Sequence, residues 1–252
     1  MINIIIPMAG RGSRFSVAGY NDPKPLIRIG DKRMIEVVVN NLRPCRPHRF
    51  IFVCQEEHIA GYGLVPLLEN IAPGSVVVPI QGITGGAACT VLAASAYIDN
   101  DQPLMIANSD QWVDTCIDDY LKKMDEQSLD GLIMTMTASD NKWSYVQCDE
   151  QGWVQRVVEK QVVSDEATVG IYNYRRGRDF CHFAQQMVRN NDLSQGEFYV
   201  APVYNYLLQN NSGCRIGIMN IGTEMHGMYG LGTPQDLQNF SRLPIARQAI
   251  TF

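Results

Sequence analysis

The chain has 252 residues, enough to bury a substantial core, and an α/β protein of this length is commonly one domain. Its 46% hydrophobic and 19% charged residues are those of an ordinary globular protein, and a formal charge of −5 with a pI near 5.4 argues against non-specific binding to nucleic acid or anionic membrane. No uninterrupted apolar stretch reaches about 18 residues, so no membrane span is expected.

The opening "MINIII" lacks the basic start and long apolar segment of a secretory signal and reads as a first strand. "MIEVVVNNL" then reads as a helix, "FIFVC" as a strand and "GLVPLLENI" as a helix. "SVVVPI" and "PLMIAN" flank "GGAACTVLAASAYI", a helix rich in small residues. "IDDYLKKMDEQ" is a further helix and "GLIMTMTA" a further strand. Alternation of strands and helices predicts a parallel sheet covered on both faces. The second half differs. "WSYVQCDEQGWVQRVVEK" reads as a hairpin turned at Gln151-Gly152, "ATVGIYNY" as a strand, and helices are expected at about 178–190 and 199–209. "CRIGIMN" is a strand, and "TPQDLQNF" places Thr-Pro just ahead of a short helix. The expected class is α/β, a mostly parallel mixed sheet flanked by helices with a small β-rich C-terminal portion.

Seven scattered cysteines include no C-x-x-C, and the four histidines form no local metal motif. Zinc or cysteine catalysis is not expected, and reduced thiols fit a cytoplasmic protein.

In an open α/β sheet ligands lie outside the carboxyl ends of the strands, so the chemistry is expected at 8–25, 81–88 and 108–111. The first of these opens with "MAGRGSRF". A dinucleotide fingerprint would need a third glycine where Phe15 stands, and a P-loop would need Gly-Lys-Ser/Thr. Neither fits. Glycines still permit close backbone approach, and successive N–H groups can cradle phosphate oxygens. Arg14 offers a planar charged fork and Lys24 a movable point charge, held in a segment restricted by Pro23 and Pro25. At the end of the apolar strand "PLMIAN" stands Asp110, a carboxylate able to hold Mg²⁺ while phosphates and water complete its octahedron.

Gly10-Arg11-Gly12-Ser13-Arg14 followed by Pro23-Lys24-Pro25 resembles the signature of the sugar-1-phosphate nucleotidyltransferase family, which has a GT-A-like, Rossmann-like fold. The resemblance runs through nearly the whole chain. It implies a single domain over 1–252, with a nucleotide-binding half at about 1–140 and an acceptor-binding half at about 141–252. Ala9, Gly10, Gly12, Ser13 and Arg14 would surround the triphosphate, and Lys24 would assist at the reacting phosphates. Gln81, Gly85 and Gly86 match the segment that reads the nucleobase, and Asp110 matches a magnesium ligand. Glu159, Lys160 and Gly170 match contacts to the acceptor hydroxyls, phosphate and sugar, and Glu197 would line the same pocket. Gln161 stands where the usual proline follows Glu-Lys.

One departure matters. Before Gly-Thr-Pro many members carry a second metal-binding aspartate, and here Gly230 stands there. Asp236 lies beyond the pattern and Glu224 is not obviously equivalent. The implied reaction joins an NTP to a phosphorylated acceptor with release of pyrophosphate, for polysaccharide or related precursor synthesis. Gln81 and its neighbouring glycines suit a small pyrimidine base, with guanine left open. Three rivals stand beside it: a cytidylyltransferase using a non-sugar phosphomonoester such as phosphocholine, a GT-A glycosyltransferase, and a catalytically silent nucleotide sensor. Self-association is left open.

Overall fold

A computed structural model describes residues 1–211 and 213–252. The chain begins with β1 (Ile2–Pro7), α1 (Ser13–Val17), a 3-10 turn at Lys24–Leu26 and a small hairpin of β2 (Arg28–Ile29) and β3 (Lys32–Arg33). There follow α2 (Met34–Leu42), β4 (His48–Gln55), α3 (Glu56–Tyr62), α4 (Leu64–Ile71) and β5 (Val76–Ile80). Next come α5 (Ala87–Leu92), α6 (Ser95–Ile98), β6 (Leu104–Ala107), β7 (Gln111–Val113), α7 (Ile117–Glu126) and β8 (Gly131–Thr137). The hairpin of β9 (Ser144–Cys148) and β10 (Val154–Glu159) leads into β11 (Glu166–Tyr174), α8 (Gly177–Arg189) and α9 (Val203–Asn210). The chain closes with β12 (Ile216–Glu224), β13 (Gly227–Gly230), α10 (Pro234–Ser241) and α11 (Pro244–Ile250).

One eleven-stranded sheet carries the fold, in the order β5-β4-β1-β6-β11-β8-β12-β13-β7, with the β9–β10 hairpin beside β11. The first four strands are parallel, β11 runs antiparallel to both β6 and β8, and β12 is parallel to β8. The expected mixed, mostly parallel sheet flanked by helices is what forms. Its strands are apolar on both faces because both are covered. In β1, Ile4 and Ile6 enter one core, while Ile5 enters the core on the opposite face. A third cluster ties Phe15 of α1 and Ile27 and Ile29 to Trp112, Tyr229, Leu237 and Phe240, so the last two helices clamp the loop after β1. Among the described residues no helix is long and apolar enough to cross a membrane.

Some sequence boundaries are corrected. "GGAACTVLAASAYI" is two short helices, because Ala94 N–H donates to Val91 O instead of continuing the α pattern. Alanine is the best helix former, so nothing in the sequence marks that break. The helix expected from about 199 starts at Val203, since Phe198 is paired with the loop after β5. Helix α3 buries none of its residues, and so shows no apolar periodicity.

Candidate active site

The exit of β1 is pinned to β4. Met8 N–H donates to Val53 O at 2.9 Å, and the buried Gln55 side chain donates through Nε2 to Ala9 O at 2.6 Å. Beyond this anchor Gly10 is exposed, with nothing within 4 Å of where a Cβ would stand. Gly12 turns the chain with φ +60°, its carbonyl accepting from Phe15 N–H at 2.9 Å, and starts α1. An added Cβ there would lie 3.2 Å from Cβ of Lys24. The spacing between the two motifs is therefore a contact: the glycine allows the Pro-Lys-Pro turn to close against the loop. Ser13 and Arg14 are exposed on α1, which Phe15 roots in the third core cluster.

Pro25 and Leu26 are buried, and Lys24 reaches out from that fixed turn. Its Nζ donates to Asp110 Oδ2 at 2.8 Å, with both side chains about a quarter exposed at 22% and 25%. Asp110 lies between β6 and β7, and its carbonyl accepts from Leu231 N–H at 2.8 Å. Two glycines border it. Gly230 is paired with Gln111 and would place a Cβ in open space, with nothing within 4 Å, while a Cβ at Gly232 would come 3.0 Å from Asp110 Oδ2. Glu224 is committed to Lys142, at 2.9 and 3.0 Å, and Asp236 belongs to the first turn of α10, capped by Thr233. Among the described residues no group of three or more His, Cys, Asp or Glu could hold a metal. What the described residues offer at this point is one carboxylate, paired with the Lys24 ammonium and bordered by the open side of Gly230.

Gly85 and Gly86 have a structural duty. Phe198 N–H donates to Gly85 O, and Ala88 N–H to Phe198 O, both at 2.9 Å. A Cβ on Gly86, at φ +140°, would lie 2.5 Å from Phe198 O and 2.6 Å from Phe198 N. The glycine at 86 is thus required by a backbone junction between the first and second halves of the chain. Gln81 is exposed just past β5.

Among the residues expected at the acceptor, Gly170 (φ +82°) lies so close to Asn108 and Gln111 that any Cβ would overlap the Asn108 side-chain amide. Its carbonyl accepts from Asn108 N–H at 3.0 Å. This approach joins β11 to the strand end that carries Asp110. Glu159 ends β10 directly opposite Ser144 of β9, and the Ser144 hydroxyl donates to Glu159 Oε2. Burial raises the Glu159 pKa, while the Ser144 hydrogen bond and Lys160 oppose that rise. Lys160 takes up a left-handed backbone at φ 52° and donates through Nζ to Tyr199 Oη at 3.0 Å, a bond that raises its pKa. Glu197 is exposed and adds its charge to both Glu159 and Lys160. Ser144 and Tyr199 escape a reading by motif: a serine in an alternating strand and an aromatic after Gly-Glu-Phe carry no pattern of their own.

The structure thus groups Gly12, Lys24 and Asp110 in one place and Glu159 and Lys160 with Glu197 in another, with Gly170 against Asn108 and Gln111 beside the first. A surface cavity of about 730 Å³, lined by Trp153, Arg156, Asn190, Tyr206 and Arg215 among others, contains none of these residues. Burial pushes the Cys54 and Cys181 thiols up to about 12.

Residues 3–199 match the family model described as nucleotidyl transferase. The bifunctional protein GlmU of Staphylococcus carnosus is 23% identical over 89% of this chain and 49% of its own length, so the chain spans about half the length of the curated relatives it matches. Among solved structures, the nucleoside-diphosphate-sugar pyrophosphorylase from Vibrio cholerae RC9 superposes with a TM-score of 0.80, at 23% identity, over 95% of this chain and 100% of that one. A UDP-glucose pyrophosphorylase complexed with UDP-glucose superposes with a TM-score of 0.74, at 17% identity, over 96% and 97%. These likenesses show a shared fold, and the family match extends from β1 across the glycine loop, Lys24, Asp110 and Lys160. The chain belongs to the nucleotidyl transferase family.

Proposed function

We propose that the protein joins an NTP to a sugar phosphate, giving an NDP-sugar and pyrophosphate, in the supply of precursors for polysaccharide or related synthesis in the cytoplasm. The observation that carries this reading is the convergence of the Gly10–Gly12 loop, Lys24 and Asp110, with Lys24 Nζ 2.8 Å from Asp110 Oδ2. The acceptor phosphate attacks the α-phosphorus in line and pyrophosphate leaves on the opposite side. A phosphomonoester is already ionised near neutral pH, its second pKa being about 6, so no general base is required. Two anions must instead be brought together, and positioning and charge neutralisation do the work. Arg14 and the loop amides bind the triphosphate, Lys24 meets the reacting phosphates, and Lys160 holds the acceptor phosphate.

Magnesium fits this site in one way. Asp110 offers a single carboxylate with room beside Gly230 and Gly232, which suits an ion held mainly by substrate phosphates and water. When bound, the ion would neutralise phosphate charge.

A hydroxylated acceptor is favoured over a quaternary ammonium such as phosphocholine. Cations of that kind are usually held against open aromatic faces. Here the Lys160 ammonium lies 5.2 Å from the Tyr199 ring centre, and Lys142 lies 4.8 Å from that of Trp143. The Lys160 ammonium beside Glu159 already answers that carboxylate and would repel a second cation there. The test is pyrophosphate release from five NTPs against a panel of hexose 1-phosphates and phosphocholine. Release that depends on a sugar phosphate supports the reading. Release with phosphocholine alone, or nucleotide binding without turnover, replaces it with the cytidylyltransferase or the sensor.

A further inference from the structure

Glu159 lies among more polar groups than the acceptor contacts require. Ser144, Thr168 and Tyr172 are all buried, at 9%, 4% and 7% exposure, on three positions of two adjacent strands. Tyr172 Oη and Thr168 Oγ1 pair with each other at 2.9 Å, and the Tyr172 hydroxyl also lies beside Ser144. Ser144 is different. It faces Glu159 across the β9–β10 ladder, where directly opposite side chains are in reach, and its hydroxyl is spent on Oε2 of that carboxylate. Oε1 takes no hydrogen bond among the described residues.

We propose that Ser144 is a positioning residue for the acceptor: its hydroxyl locks the Glu159 carboxylate in one orientation, with one oxygen engaged and the other left for a substrate hydroxyl. This rests on the sugar-phosphate reading above. A carboxylate at a strand end can swing about its side-chain torsions, and each ordered torsion costs binding free energy when the substrate must impose it. Ser144 imposes the order beforehand. It also donates to the ionised form, which keeps Glu159 charged against the desolvation that burial brings. The other charged or titratable groups facing Glu159 are Lys160 on the same segment, Glu197 before α9 and Tyr172 on β11, whose phenol burial keeps protonated.

The test compares Ser144→Ala, Ser144→Gly and Ser144→Thr with the unaltered chain, using the hexose 1-phosphate that supports fastest pyrophosphate release. The Ala and Gly variants are expected to raise the acceptor KM about tenfold with the NTP KM unchanged, and Thr to recover most of the loss. The acid limb of kcat/KM for the acceptor should move to higher pH in Ala and Gly, because Glu159 loses a bond that favours its ionised form. The acceptor's own ionisation is common to all four proteins and cancels. Carboxyl NMR of ¹³C-labelled glutamate supplies a second readout that needs no activity: the Glu159 titration should shift upward in Ser144→Ala. An unmoved Glu159 titration overturns the Ser144 contact whatever the protein's activity. A moved titration with an unchanged acceptor KM overturns the positioning role. Absence of pyrophosphate release from the unaltered chain, with Glu159 still shifted in Ser144→Ala, points instead to failure of the sugar-phosphate reading.

Discussion

Lys24 is the residue on which the largest effect is expected. On the proposed reading it is a donor aimed at the place where phosphate charge develops, and removal of such a donor costs about 2.7–4 kcal/mol in the transition state. Lys24→Ala should therefore lower turnover at least about a hundredfold, with the circular dichroism and melting profile of a folded protein; near-normal turnover would take Lys24 out of the mechanism. Arg14 and Lys160 allow the two substrates to be separated. Arg14→Ala should weaken NTP binding in calorimetry, whereas Lys160→Ala should raise the acceptor KM or lower kcat and leave NTP affinity roughly unchanged. Equal loss of NTP affinity in both variants would contradict the assignment. Lys24 and Asp110 could be picked out in the sequence because proline, glycine and the end of an apolar run mark them. That the two side chains touch could not, since 86 positions separate them along the chain. Ser144 was hidden for another reason: its meaning depends on which residue stands across the ladder.

At the scale of elements, two glycines in similar-looking loops carry opposite expectations. Gly86 sits at φ +140° and ψ 178°, a region essentially reserved for glycine, with the Phe198 backbone directly over it. Gly86→Ala should be destabilising by strain of about 1–3 kcal/mol or more, and a chain of this size loses about 2–4 °C in Tm per kcal/mol. Gly10 has empty space on its side-chain face, so Gly10→Ala should melt as the unaltered protein does. If the loop closes on phosphates, the same change should still weaken NTP binding. A Gly86→Ala protein as stable as the original would show that the junction with Phe198 can give way. The strands and most helices were legible because burial on both faces leaves an apolar run between turn residues. The β7 and β13 strands were not, being three and four residues long and defined by each other. Helix α10 announced itself through Thr233-Pro234, and the threonine does accept from Asp236 N–H.

The whole molecule is laced together more tightly than a division into nucleotide and acceptor halves suggests. Strand β11, from the second half, lies between β6 and β8 of the first. The last helices return to pack on Phe15 and Ile27 beside the glycine loop. A fragment of residues 1–140 would leave β6 with an open edge and β8 without either of its neighbours, and unpaired edges promote aggregation. Such a fragment is expected to be insoluble or to lack a cooperative melt, and co-expression with 141–252 should restore NTP binding. A soluble 1–140 that melts cooperatively on its own would show that the halves fold independently. Truncation before α10 should likewise weaken NTP binding, because it strips Leu237 and Phe240 from the cluster that seats α1.

The ion pair between Lys24 and Asp110 also sets an order of events. The lysine ammonium serves as the carboxylate's counter-ion, and on the proposed reading it occupies the position a magnesium ion would claim. A divalent cation arriving alone must evict it, whereas an incoming triphosphate offers the ammonium a richer anion and frees the carboxylate at the same moment. Nucleotide and metal should therefore enter as one charge-matched unit. Mn²⁺ followed by electron paramagnetic resonance is expected to bind the nucleotide-free protein weakly and the Lys24→Met variant several-fold more tightly. Equal affinity in the two would mean that the seat at Asp110 was never contested.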